Sequence, residues 1–79
     1  MRVWKSNKFE NAYVVDILNS INGGTMHIMP DTAKKVQTNQ GEIIGVSYLF
    51  YNRFYKKWYE DIFYPSFELW NEIISKIKA

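Results

Sequence analysis

Histidine and cysteine, two residue types common in catalytic sites, are almost absent from this 79-residue chain. It contains a single histidine, His27, and no cysteine, which excludes thiol nucleophiles, disulfides and zinc–thiolate sites. Glu60 and Asp61 are adjacent, so on a strand they would face opposite sides, and no cluster of acids or histidines stands at metal-ligand spacing. Asn22-Gly23-Gly24 has neither the GxGxxG nor the GxxxxGK[ST] pattern that binds phosphate. The sequence therefore predicts no metal, no cofactor and no enzymatic activity.

His27 is the one candidate for a general base. The predicted order of elements is a helix, glycines, a strand carrying the histidine, further strands and a helix, which resembles the HicA-type toxins. These are ribonucleases with a fold like that of double-stranded-RNA-binding domains. The resemblance covers the order of elements and the stretch Gly24-Thr25-Met26-His27, and it implies that His27 cleaves RNA. We favour a strand histidine without a catalytic role and keep the ribonuclease as a remote alternative.

The strongest pattern is the basic aromatic stretch, residues 50–64, FYNRFYKKWYEDIFY. Pairs of bulky residues alternate with pairs of polar ones. A domain of this size cannot bury every ring, and cations between rings need water or an anionic partner. Such residues stack on bases and neutralise phosphates, and they also dominate protein–protein hot spots. The predicted binding residues are Arg53, Phe54, Tyr55, Lys56 and Lys57, together with Tyr51 and Tyr59.

This surface predicts a non-enzymatic binding module whose partner is a protein or a nucleoprotein complex. Direct binding of DNA or RNA is the main alternative. The small size and the richness in Asn, Lys, Ile and Tyr resemble accessory proteins of phages and mobile elements, many of which inhibit host defence or transcription machinery. The strand–strand–helix order of residues 42–79 also resembles the DNA-binding domains of phage integrases, which implies a sheet in the major groove.

The composition indicates one small soluble domain over residues 1–79, since 47% of the residues are hydrophobic and 18% aromatic. No signal peptide and no apolar run of roughly 18 residues is visible, so we expect a cytoplasmic protein without a membrane partner. A domain this small leaves part of its apolar surface outside. We therefore expect a homodimer, formed through residues 48–59 or the exposed edge of the terminal helix.

The expected fold class is α+β, with an N-terminal helix and a C-terminal helix packed on one face of a three- to four-stranded antiparallel sheet. The C-terminal helix follows Pro65-Ser66 and is predicted from the stripe Phe67, Trp70, Ile73, Ile74 and Ile77. The N-terminal helix is predicted from Asn7 and Glu10 as a capping box, Asn22-Gly23-Gly24 as its end, and apolar residues at three- and four-residue steps: Phe9, Tyr13, Val14, Ile17, Leu18 and Ile21.

Alternating side chains predict strands at residues 25–29 and 42–50. Residues 1–5 suit an edge strand or an arm. Residues 31–38 fit either a short helical turn or a strand that pairs across Asn39-Gln40-Gly41. For the basic aromatic stretch we favour a hairpin that bends around residues 52–56, because aromatic residues prefer strands, and a single helix is the alternative.

Overall fold

A computed structural model describes residues 1–16 and 25–79, which form six β-strands and a C-terminal α-helix. The elements are β1 (Arg2–Lys5), β2 (Tyr13–Asp16), β3 (Thr25–Ile28), a 3₁₀ turn (Pro30–Thr32), β4 (Lys34–Thr38), β5 (Gly41–Asn52), β6 (Lys57–Phe63) and α1 (Phe67–Lys78). Every strand pair is antiparallel. The sheet runs β1-β2-β3-β5, and both β4 and β6 also pair with β5.

The long strand β5 organises the sheet because it has three partners. Its first half forms a hairpin with β4, in which Thr38 lies opposite Gly41. Its second half pairs with β3 through Tyr48 and Leu49, and with the whole of β6. Since the same two residues pair with both strands, β3 and β6 must lie on opposite edges of β5.

The core lies between α1 and one face of the sheet. Val15 from β2, Ile28 from β3 and Ile73 from α1 are fully buried at its centre. Partly buried side chains surround these three, namely Met1, Val3, Tyr13, Met26, Tyr48, Phe63, Leu69, Trp70 and Ile77. We call this side of the sheet the helix face.

The C-terminal helix is confirmed. Its N-cap is Ser66, whose hydroxyl oxygen accepts a hydrogen bond from the backbone N–H of Leu69 at 3.1 Å. Glu68 lies in the first turn, and Lys76 and Lys78 lie in the last, which suits the helix dipole. Ile73 is the fully buried residue of the predicted apolar stripe.

The predicted N-terminal helix is wrong, and with it the expected arrangement of two helices on a three- to four-stranded sheet. Tyr13–Asp16 form strand β2, paired on both edges with β1 and β3. Val14 and Val15 are adjacent and both buried, so each face of this strand packs against apolar material. The same spacing that suits one helix stripe therefore also fits a strand covered on two sides. The rest of that stripe, Ile17, Leu18 and Ile21, and the predicted stop at Asn22-Gly23-Gly24 lie outside the described residues.

The other strand predictions are largely confirmed. Residues 2–5 form an edge strand, and the strands at residues 25–29 and 42–50 exist with shifted ends. Both interpretations of residues 31–38 hold in part, because a 3₁₀ turn precedes a strand that pairs with β5. The basic aromatic stretch forms the predicted hairpin, with Asn52 opposite Lys57.

Replacing Ile73 by Ala should lower the free energy of unfolding by about 2–5 kcal/mol, because a fully buried aliphatic side chain leaves a cavity. Urea denaturation followed by circular dichroism measures the loss. Phe67→Ala is the control on the same helix, since Phe67 is 45% exposed. Equal losses for the two variants would contradict the assigned packing of α1.

Candidate functional site

The hairpin tip, residues 53–56 between β5 and β6, has a defined shape. The Asn52 side-chain oxygen accepts hydrogen bonds from the backbone N–H groups of Phe54 at 2.9 Å and Tyr55 at 3.1 Å. Lys56 has a φ of 55°, the left-handed conformation that closes the turn. Asn suits position 52 because the oxygen of its short side chain takes the place of a backbone hydrogen-bond acceptor. The tip is therefore held by a local hydrogen-bonded turn.

Two aromatic rings project from this tip into solvent. Phe54 is 85% exposed and Tyr55 is 61% exposed, and their ring centroids lie 5.0 Å apart in an edge-to-face arrangement. Tyr55 continues to Tyr59 at 6.4 Å, and Tyr59 stacks on Phe50 at 5.8 Å. Phe50 in turn lies 5.6 Å from Tyr48, which packs against the core. We call these five rings the aromatic row; it connects the core to the tip along the helix face.

Three cations surround the exposed rings. Arg53, Lys56 and Lys57 are all exposed. Ion pairs elsewhere join Arg2 to Asp16 at 3.0 Å and Lys35 to Glu42 at 3.7 Å, whereas no described carboxylate pairs with any of the three tip cations. The tip is thus electropositive as well as aromatic, and its charges are available to a partner.

The structure brings most, but not all, of the predicted binding residues together. Phe54, Tyr55 and Tyr59 belong to the aromatic row. Tyr51 lies on the opposite face, where its ring is 5.5 Å from that of Trp58. The cations of β1 lie at the far side of the sheet, beyond β2, β3 and β5. A partner that binds the tip therefore contacts a projection with two faces rather than one flat basic surface.

His27 lies on the face opposite α1, beneath the loop of residues 6–12. Its ring meets those of Phe9 at 5.6 Å and Trp58 at 5.2 Å, and these two rings meet each other at 4.8 Å, all edge to face. The Lys8 ammonium lies 5.3 Å from the centre of the Trp58 ring. This cluster covers the second face of the sheet, where Val14 is also buried.

A single hydroxyl group ties His27 to this loop. Ser6 is buried, and its Oγ lies 3.1 Å from His27 Nδ1. The same Oγ accepts the backbone N–H groups of Lys8 and Phe9, each at 3.1 Å. Because a hydroxyl oxygen has two acceptor sites, its own hydrogen must be donated to Nδ1. His27 is consequently neutral, with its proton on Nε2.

These contacts assign His27 a structural role in the cluster. Burial, and then the Lys8 charge, hold its pKa below the ordinary value of 6.5. The helix that should precede it in a HicA-like order is replaced by strand β2, so the resemblance in element order is lost. Sequence reasoning missed the cluster because its members come from distant strands and a loop; Phe9 in particular fitted a helical stripe.

A groove of about 220 Å³ opens on the face that carries His27, between β4 and β6. Its lining includes Lys34, Val36, Gly45, Ile62 and Tyr64. The lack of a side chain at Gly45 keeps the floor of the groove open, since a Cβ at this position would lie 3.2 Å from the Tyr64 ring. This lining is mainly apolar, and Lys34 is the one charged residue among its described members.

Comparisons with known proteins leave this site without a precedent: no family model, no curated protein and no solved structure matches the chain. Among residues 1–16 and 25–79, no three acidic or histidine side chains gather where they could hold a metal ion. Helix α1, the longest helix of the described chain at 12 residues, falls short of the length that crosses a membrane. The hairpin tip is therefore the feature of the molecule that bears most directly on function.

Acidification should destabilise the domain through His27. The depressed pKa means that the unfolded chain binds this proton more readily, so stability falls as the pH drops below 6.5 toward the folded pKa. The protonated ring would also aim a second donor at Ser6 Oγ, which already accepts two. We expect His27→Gln to flatten this part of the stability–pH profile measured by urea denaturation. An unchanged profile would contradict the neutral assignment.

Replacing Asn52 by Ala should lower the free energy of unfolding by about 1 kcal/mol and raise the hydrogen-exchange rates of the Phe54 and Tyr55 amides. Asn52→Asp should preserve both properties because it keeps the acceptor oxygen. Asn39→Ala is the control in the β4–β5 turn, where the Thr38 hydroxyl accepts the Gln40 N–H at 3.2 Å instead. Fast exchange of both tip amides in the unmodified protein would refute the ordered turn.

Proposed function

We propose that the protein is a non-enzymatic binding module that engages a protein or nucleoprotein partner through the hairpin tip. The binding residues are Arg53, Phe54, Tyr55, Lys56 and Lys57, supported by Tyr59 and, on the other face, by Tyr51. The main support for this proposal is the Phe54 ring, which is 85% exposed. It stands on a turn whose backbone is held by hydrogen bonds to the Asn52 side chain. An inhibitor or an adaptor acts in this way, by occupying a surface of its target.

The tip suits a hot spot because its rings are already arranged. Burying an exposed aromatic side chain contributes roughly 1.5–3 kcal/mol, and ordering a loop on binding subtracts from that gain. The hydrogen bonds of Asn52 and the edge-to-face contact between the Tyr55 and Tyr59 rings reduce this ordering cost. Phe54 would then enter a pocket of the partner while the cations contact its polar rim.

The charges behind the tip favour a protein partner over a nucleic acid. Glu60 and Asp61 are exposed on β6, only a few residues from the tip cations. A phosphate backbone running along the hairpin would meet these carboxylates after leaving Lys57. A protein surface with charges of both signs accommodates this pattern better.

Direct binding of DNA or RNA is the second candidate. It is favoured by the three tip cations, which have no ion-pair partner among the described residues, and by the two rings beside them. Phe54 and Tyr55 would stack on unpaired bases while Arg53, Lys56 and Lys57 contact phosphates. Such binding would weaken with salt, with a slope of about −2 for three contacts on a single strand.

Two further parts of the proposal concern location and assembly. A cytoplasmic location is supported by the absence of cysteine from the sequence. A homodimer is supported by two exposed side chains of β6, since Tyr59 is 38% exposed and Ile62 is 47% exposed. Both side chains lie on a strand whose second edge has no partner among the described strands.

Truncation of the tip tests the main proposal. Phe54→Ala and Tyr55→Ala should each weaken binding to the partner about tenfold or more, whereas Tyr64→Ala, which removes an exposed ring away from the tip, should leave it unchanged. Tagged protein is used to capture partners from a cell lysate, with and without nuclease. Affinities for the purified partner are then compared among the variants.

The outcomes separate the candidates. A protein that is retained after nuclease treatment and lost by Phe54→Ala supports the proposed module. Recovery of nucleic acid alone, with the salt slope given above for single-stranded probes, supports the second candidate. Capture that is equal for the Phe54→Ala and Tyr64→Ala variants would exclude the tip as the binding site.

A further inference from the structure

Strand β6 has one edge without a partner strand in the part of the chain that the structure describes. It pairs along its whole length with β5, and no strand of residues 1–16 or 25–79 pairs with its other side. Five of its seven side chains are exposed. An open edge of this length can accept another strand.

The direction of the backbone N–H and C=O groups alternates along β5. This alternation determines which residues of β6 direct their own backbone groups outward, away from β5. The C=O of Ser47 accepts the N–H of Met29 at 2.9 Å, so Ser47 faces the β3 side, and the neighbouring Tyr48 faces β6. Tyr48 lies opposite Asp61, which therefore faces β5. The alternate residues of β6 face outward, namely Trp58, Glu60 and Ile62. Consistent with this, the Ile62 N–H donates to a side-chain oxygen of Asp61 at 2.8 Å and not to β5.

We propose that this edge binds β6 of a second copy of the chain, antiparallel and centred on Tyr59, so that two sheets join into one. The proposal gives a geometry to the homodimer of the proposed function. About a two-fold axis through Tyr59, Trp58 of each copy pairs with Glu60 of the other. These two pairs form four backbone hydrogen bonds. Tyr59 meets Tyr59 at the centre.

The charges of β6 select this register. With Tyr59 at the centre, Lys57 of each copy lies directly opposite Asp61 of the other, which gives two pairs of opposite charge. Their side chains also share the helix face, where directly opposed residues interact. A register whose centre moves by one residue to Glu60, which displaces one strand by two residues, would set the two Glu60 carboxylates against each other. Charge therefore favours the alignment centred on Tyr59 over the alignment centred on Glu60.

The bond between Asp61 and Ile62 independently favours the same register. Pairing centred on Glu60 needs the Ile62 N–H as a ladder donor, which would break its 2.8 Å bond to the Asp61 oxygen Oδ1. Pairing centred on Tyr59 ends at the Lys57–Asp61 pairs and leaves that bond in place. The second carboxylate oxygen of Asp61 remains for Lys57 of the other copy. Phe54 and Tyr55 lie outside the ladder, so their rings stay available to a partner, whereas Lys57 and Tyr59 take part in the dimer contact.

Charge exchange between copies tests the proposal with the full chain. Lys57→Asp alone sets the introduced carboxylate against Asp61 of the other copy, and Asp61→Lys alone sets the introduced ammonium against Lys57. Each single variant should weaken the dimer at least about tenfold in sedimentation equilibrium. An equimolar mixture of the two variants should form a heterodimer, because both opposed pairs are then of opposite charge. The carboxylate introduced at position 57 of one chain lies opposite the ammonium introduced at position 61 of the other, and the unmodified Asp61 of the first chain lies opposite the unmodified Lys57 of the second.

The double variant Lys57→Asp/Asp61→Lys is the matched rescue, since it restores an opposite charge at both pairs and should dimerise like the unmodified chain. Lys35→Asp on β4 gives the same change of charge away from this edge and should leave the dimer intact.

Hydrogen exchange supplies a second measurement. The Trp58 and Glu60 amides should exchange slowly at concentrations where the dimer forms and faster on dilution. A chain that remains a monomer at millimolar concentration would overturn the proposal, as would a dimer that forms equally well in both single variants. The function proposed for the tip is tested independently of the dimer, since Asp61→Lys leaves the tip residues unchanged. A monomer that still binds its partner through Phe54 would refute the dimer alone.

Discussion

The pairing of β5 on both of its edges is the constraint on which the rest of the domain depends. This strand pairs directly with β3, β4 and β6, so all other strands are placed by it directly or through β3. It also links the two regions that matter for function. Tyr48 belongs to the core, and two residues further along the same face Phe50 begins the part of the aromatic row that leads outward. The position of the tip is thereby coupled to the packing of the core.

A sheet of this kind has two faces to cover, and the chain covers them by different means. On the helix face, α1 buries Ile73 against Val15 and Ile28, which is hydrophobic packing of the usual sort. On the other face a short loop replaces a helix. It is closed by the hydrogen bond from the Ser6 N–H to the Ala12 C=O at 3.0 Å and fastened to His27 by the Ser6 hydroxyl. The lone histidine therefore takes part in covering this face of the sheet.

Patterns that are complete within one element could be predicted from the sequence. The stripe and N-cap of α1, the alternation in β5 and the break between β5 and β6 are local, and the structure has all three. The same local signal identified the tip cations and the rings of Phe54 and Tyr55. Val14 and Val15 do not distinguish a helix from a strand in the sequence, because two adjacent apolar residues suit both a helix stripe and a strand buried on two faces. Only the loop that covers the second face decides between them, and it does so through contacts between distant residues.

The charges of β6 have two consequences that are usually considered separately. Exposed Lys, Glu and Asp on an edge strand hinder random pairing with other chains, which is the common protection against aggregation. Their order along the strand determines what pairing remains. Because Lys57 and Asp61 stand at equal distances on either side of Tyr59, the edge is attractive to its own two-fold copy. Glu60, one residue from that centre, makes the adjacent register repulsive. The same three charges that protect this edge from most strands thus favour pairing centred on Tyr59 over pairing centred on Glu60. The paired residues follow the turn that presents Phe54, so the Phe54 ring lies outside the contact.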